Sequence, residues 1–83
     1  MNFSDAVINV LLQEEHEHGP GAGMTRRELE RLGVSFRLTR NEARMVLNRL
    51  EAARVIVSQK KIIDGEKQRI WTANRRKLIP VGP

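Results

Sequence analysis

The chain lacks three things: it has no cysteine, no lysine or arginine among its first 25 residues, and no apolar run longer than three, as at Val55-Ile56-Val57. Without cysteine there is neither a disulfide framework nor a thiolate zinc site, and nothing marks secretion. A membrane-spanning helix needs roughly 18 to 20 apolar residues in a row, so none is expected. The start, MNFSDAV, has no basic stretch followed by an apolar one, so no signal peptide is expected either, and the cytoplasm is the default compartment (the nucleoid if the source is bacterial). At 83 residues the chain builds one core with little surplus stability, which argues against a deep, insulated catalytic pocket.

What is present is charge, unevenly placed. Fifteen Lys and Arg against ten Asp and Glu give a net +5 and a pI near 10.8. Asp5, Glu14, Glu15 and Glu17 give the first 25 residues −4, while all 15 cations and the other six acids lie in residues 26 to 83, which therefore carry +9. A half that basic points to a polyanionic partner, nucleic acid before an anionic membrane surface.

Local patterns divide the chain into short elements. Phe3, Val7, Val10, Leu11 and Leu12 recur at helical spacing, with Ser4 as N-cap and Asp5 at the positive end of the dipole. Fraying is expected from Glu14 to His18, where three glutamates meet the negative end of the dipole, before Gly19-Pro20-Gly21 stops the helix. Gly19 to Gly23 is read as a turn or flexible loop. Thr25-Arg26-Arg27-Glu28 is a capping box, opening a helix of about two turns with Leu29 and Leu32 inside and Gly33 as its C′ residue. Fourteen residues on, Thr39-Arg40-Asn41-Glu42 is a second capping box. It opens the strongest helical segment, ending near Ala53 or Arg54, with Ala43, Val46, Leu47, Leu50 and Ala53 on its apolar face. Helix, turn, helix is the result.

The period then changes from about 3.6 to 2. Val55 to Ile63 is rich in β-branched residues, Asp64-Gly65 is a type I′ turn signal, and Gln68 to Thr72 is the return strand. A two-residue turn sets Lys60 against Arg69, Lys61 against Gln68 and Gln59 against Ile70; a three-residue loop would instead oppose Lys61 and Arg69. Like charges directly opposed are destabilising, which makes better sense beside phosphates than in water. Asn74 to Pro83 reads as a basic tail.

The stretch from Leu38 to Ile56 resembles the third helix and first wing strand of winged helix-turn-helix transcriptional regulators: a polar helix ends in Leu-x-x-Leu and runs directly into an apolar strand. Asp64-Gly65 and Gln68-Arg69-Ile70-Trp71-Thr72 look like the wing turn and its return strand. The resemblance covers roughly residues 4 to 75 and implies an α+β fold, a single domain over 1 to 83 with three helices and a C-terminal β-hairpin wing. Many of these regulators have a glycine before the first wing strand. Here Ala53-Arg54 stands in its place, so either the helix exit differs or Arg54 is strained.

The resemblance implies that the third helix enters a major groove of double-stranded DNA and the hairpin follows phosphates. Residue types agree. Arginine can hold guanine and asparagine adenine bidentately, so Arg40, Asn41, Arg44, Met45 and Asn48 are the candidate base contacts. Arg26, Arg27, Thr39, Arg49, Lys60, Lys61, Lys67 and Arg69 are the candidate phosphate contacts, which position without reading sequence. Each has a plainer reading: a charged helix face in solvent, or cations guarding strand edges. Trp71 is read as core rather than as a base-stacking platform. His16 and His18, two residues apart on a helix, point to different sides, and no metal or cofactor is expected. Glu28, Glu30, Glu42, Glu51, Asp64 and Glu66 are the acids of the basic half; four of the six have capping, helix-surface or turn explanations, and no serine lies in a nucleophile motif, so no enzyme is expected. The expected function is therefore a small DNA-binding regulator with no evident small-molecule ligand. The alternatives are a protein adaptor docking through Phe3, Val7 and Val10, or an RNA-binding winged helix. The sequence is equally compatible with a monomer and a homodimer.

Overall fold

A computed structural model describes residues 2–78. In chain order the elements are α1 (Phe3–His18), β1 (Met24–Thr25), α2 (Arg26–Ser35), α3 (Arg40–Ala52), β2 (Ile56–Ile63), β3 (Glu66–Ala73) and α4 (Arg75–Leu78). The strands form one antiparallel sheet in the order β1-β3-β2. The α+β class and the hairpin agree with the sequence reading; β1 and the short α4 were not anticipated, and the Pro80-Val81-Gly82-Pro83 end of the expected tail lies outside the described residues.

Phe3, Val7 and Leu11 from α1, Leu29 from α2, Ala43 and Leu47 from α3, and Ile56, Trp71 and Ala73 from the sheet make one buried cluster. Val7, Leu11, Leu29 and Ile56 lose all contact with solvent, and each such side chain contributes roughly 1.5 to 3 kcal/mol of transfer free energy. Val46 and Leu50 pack on its margin, whereas Ala53, expected on the apolar face, is exposed as the C-cap of α3.

Both capping boxes are present in full: Thr25 accepts from the Glu28 amide and Thr39 from the Glu42 amide, with each glutamate returning a bond to the cap. At α1 the cap is Asn2 rather than Ser4. Its Oδ1 accepts from the Asp5 amide at 2.8 Å, which places Phe3 in the first turn with its ring 6.0 Å from that of Phe36. Nor does α1 end early. It reaches His18, its acids engaged side by side: Gln13 donates to Glu17, His18 lies 3.7 Å from Glu14, and Arg75 holds Glu15 at 3.0 Å. The first arginine of the tail is thus bound to the acidic helix.

Gly33 does not terminate α2. It is buried inside the helix where α2 crosses α3, and a Cβ there would stand 2.9 Å from that of Ala43. The C′ position belongs to Arg37, at φ 60°, with Leu38 N–H donating to Gly33 and Arg37 N–H to Val34. Helix α3 ends in the same Schellman motif, with Arg54 at φ 61° and Val55 N–H donating to Leu50. Of the two outcomes allowed at the helix exit, the left-handed arginine is the one found. Each conformation costs a non-glycine residue of the order of 1 to 2 kcal/mol.

The hairpin has the two-residue turn. Asp64 and Gly65 are at φ 53° and 82°, and Gln59, Lys60 and Lys61 pair with Ile70, Arg69 and Gln68. Strand β1 adds to the other edge of β3 through Met24 with Trp71 and Thr25 with Ile70. Gly23 admits it: a Cβ there would collide with the Trp71 carbonyl.

Candidate nucleic-acid interface

Strand alternation divides the hairpin into two faces. One carries Ile56, Ser58, Lys60 and Ile62 opposite Ala73, Trp71, Arg69 and Lys67. Its inner half is core. Trp71 is 3 % exposed, as its assignment to the core requires, and its indole N–H donates to Glu51 of α3 at 2.9 Å, while the Ser58 hydroxyl donates to the same carboxylate at 3.3 Å. The outer half extends past the helices, so Lys60, Arg69 and Lys67 are exposed, and Ile62 is 71 % exposed among them.

Lys61 lies on the other face. Its ammonium donates to the Gly21 carbonyl at 2.6 Å, across 40 residues, which ties the glycine-rich loop to the sheet. Of the hairpin cations named as phosphate contacts, three therefore share one surface and the fourth is committed to holding a loop.

The start of α2 faces that surface. Thr25, Arg26, Arg27, Gln68, Arg69 and Trp71 line a groove of about 530 Å³. The Arg26 and Arg69 guanidinium carbons lie 5.4 and 5.9 Å from the Trp71 ring. One indole thus draws two like charges together, each cation–π contact contributing about 0.5 to 1 kcal/mol. The amides of the α2 N-terminus add positive potential to the same side. Arg27 is shared with a second depression of about 340 Å³, lined also by Glu30, Arg31, Val34 and Arg40. Cations thus run from the hairpin across the start of α2 to the start of α3.

On α3 the inward side is set by Ala43 and Leu47. At 100° per residue, Asn41, Met45 and Asn48 form the outward ridge, and all three are exposed. Arg40 and Arg44 flank this ridge on the α2 side, while Arg49 is exposed on the opposite flank. The Thr39 hydroxyl is the α3 cap. Accepting two bonds from it holds the Glu42 carboxyl below the usual glutamate range, first through the Thr39 amide and then through its hydroxyl. Because that pKa is depressed in the folded state, the cap stabilises fully above the ordinary glutamate range and loses its effect as pH falls through the lowered value.

Sequence reasoning missed Glu30. Its Oε1 lies 3.5 Å from Arg40 Nε and its Oε2 3.8 Å from Arg44 Nη2, so two of the five candidate base contacts already face a carboxylate of the neighbouring helix. Nothing local marks such a pairing across two helices; the only signal was an acid of the basic half that neither caps a helix nor sits in a turn. Arg37 was missed for a different reason, since only backbone geometry reveals a strained residue there.

The adaptor surface proposed from sequence is not available. Phe3 and Val7 are buried in the core and Val10 packs against it, so the α1 stripe serves folding. His16 and His18 are exposed, and among the described residues no three metal-ligating side chains converge. No helix among these residues is long and apolar enough to cross a membrane. Comparison of the chain with protein-family models and with curated proteins returns no match.

Proposed function

We propose that the chain is a winged helix domain that binds double-stranded DNA sequence-specifically, as a small transcriptional regulator. Helix α3 lies in the major groove, where Asn41, Met45 and Asn48 face base edges and Arg40 and Arg44 reach in from one flank. The start of α2 and the outer hairpin lie on phosphates. The element order and the sheet order β1-β3-β2 are compatible with this fold. The observation that carries the reading is Lys60 directly opposite Arg69 on an exposed ladder face, beside Lys67 and the groove holding Arg26 and Arg27. Like charges so placed weaken the hairpin, and a polyanion on that face turns the cost into attraction.

The test is equilibrium binding to duplex DNA over a range of salt concentrations, joined to selection of bound sequences from a random duplex pool. Each phosphate contact contributes about −0.9 to the slope of log K against log salt, so several contacts give a steep dependence. Absence of binding at low salt overturns the proposal. Preference for duplex RNA of equal length replaces it with recognition of an A-form backbone by shape. A palindromic selected site identifies a dimer through its half-site spacing.

A further inference from the structure

Glu30 is the one acid of the basic surface placed between two candidate base-reading arginines. Its side chain is 15 % exposed, against 78 % for Arg40 and 46 % for Arg44. Oε2 is buried without a hydrogen-bond partner. At 3.5 and 3.8 Å the two contacts are Coulombic rather than hydrogen bonds of good geometry. A buried acceptor left without a hydrogen bond keeps its desolvation penalty uncompensated, so Glu30 is a poor device for stability. It is a good one for orientation. Arg40 and Arg44 are one turn apart on α3, each attracted to a different oxygen of the same carboxylate, and their N–H donors remain unsaturated by it.

We propose that Glu30 is a specificity-determining positioning residue, which buttresses Arg40 and Arg44 toward the groove floor and repels the phosphates that would otherwise capture them. The inference rests on the DNA-binding reading above and deepens it. An arginine with one side against a carboxylate keeps its remaining donors in a fixed plane, which suits the bidentate geometry of guanine O6 and N7. An arginine that swings to a phosphate abandons Glu30 and leaves a half-buried carboxylate unpaired near the DNA backbone. Non-specific complexes meet this penalty most, because they have no base contact to offset it. Discrimination therefore rises through weaker binding to wrong sequences as much as through stronger binding to the right one.

The experiment measures affinity for the selected duplex and for a random duplex with the wild type, Glu30→Gln, Glu30→Asp and Glu66→Gln. Glu66 is an exposed acid beside the hairpin turn, so its substitution removes the same charge without touching Arg40 or Arg44. Glu30→Gln is expected to raise random-duplex affinity about ten-fold while changing selected-duplex affinity little, a loss of discrimination equivalent to about 1.4 kcal/mol. Glu30→Asp, which keeps the charge but withdraws it by one methylene, should lose discrimination without the gain on random DNA. Glu66→Gln should shift both affinities by one factor. Equal shifts for Glu30→Gln, or unchanged discrimination in both Glu30 variants, overturn the positioning role alone. A wild type that binds no duplex, or binds every duplex equally, overturns the parent reading with it. Thermal melting of each variant separates these outcomes from a folding defect, and Glu30→Asp retains the charge should Glu30→Gln melt early.

Discussion

The two halves of the β2–β3 hairpin share one ladder, one register and one face, yet they are built to opposite ends. Near the helices the face is Ile56 and Ser58 opposite Ala73 and Trp71, buried except for the half-buried Ser58, with Glu51 accepting from both Trp71 and Ser58. Two residue pairs farther out it is Lys60 and Ile62 opposite Arg69 and Lys67, exposed and positive. Backbone hydrogen bonds do not distinguish the halves, so the contrast lies wholly in side chains. The base contributes to stability through burial. The tip contributes little to it and keeps a like-charge pair that a hairpin selected for stability alone would replace.

Changes along this gradient can break or sharpen the contrast. Trp71→Ala is the largest: it empties a site filled by a buried indole and leaves Glu51 without its stronger donor, at a cost of about 3 to 5 kcal/mol. For a domain this small that removes most of the stability, visible as loss of a cooperative urea transition. A loss under about 1 kcal/mol would show that the base is not where the hairpin is held. Arg54→Gly comes next, at the point where α3 feeds β2. Relief of the left-handed backbone should stabilise by ~1 kcal/mol, after the larger conformational freedom of glycine in the unfolded chain is counted. An unchanged or lower urea midpoint would mean that the arginine side chain repays its own strain. Lys60→Ala at the tip is smallest, within about 0.5 kcal/mol of wild-type stability. In the proposed function it should nevertheless weaken all duplexes alike and lessen the salt slope by about one contact. A tip substitution that unfolded the domain would erase the distinction between the halves.

The readable parts of the chain were those whose partners are near in sequence. Thr25 with Glu28 and Thr39 with Glu42 declare helix starts within four residues, and Asp64-Gly65 declares the turn and narrows the register to two, of which the one pairing Gln59 with Ile70 is found. Misreadings arose where local patterns were ambiguous. Asn2 and Ser4 are both competent caps, and the choice falls to Asn2 because it sets Phe3 into the core. Gly33 is a natural helix terminator by type, but a residue with no Cβ also suits a tight helix crossing, and the crossing is what it serves. Of the candidate interface, residue types on α3 were legible, whereas the sides on which Arg40, Arg44 and Lys61 find their partners were not.

The sequence by itself determined where three helices start, where the hairpin turns, and that the positive charge falls on the later elements, and it narrowed the hairpin register to two alternatives. Capping and turn formation act through groups only a few residues apart, so they leave a local signature. Only the tertiary structure decided that Met24 and Thr25 join the sheet, that Glu51 holds Trp71 across 20 residues and Lys61 holds Gly21 across 40, and that Glu30 stands between two arginines of another helix. Each of those contacts is too weak to order the chain between its partners. They form because the common core has already brought their elements together, and so they become visible only once that core is in place.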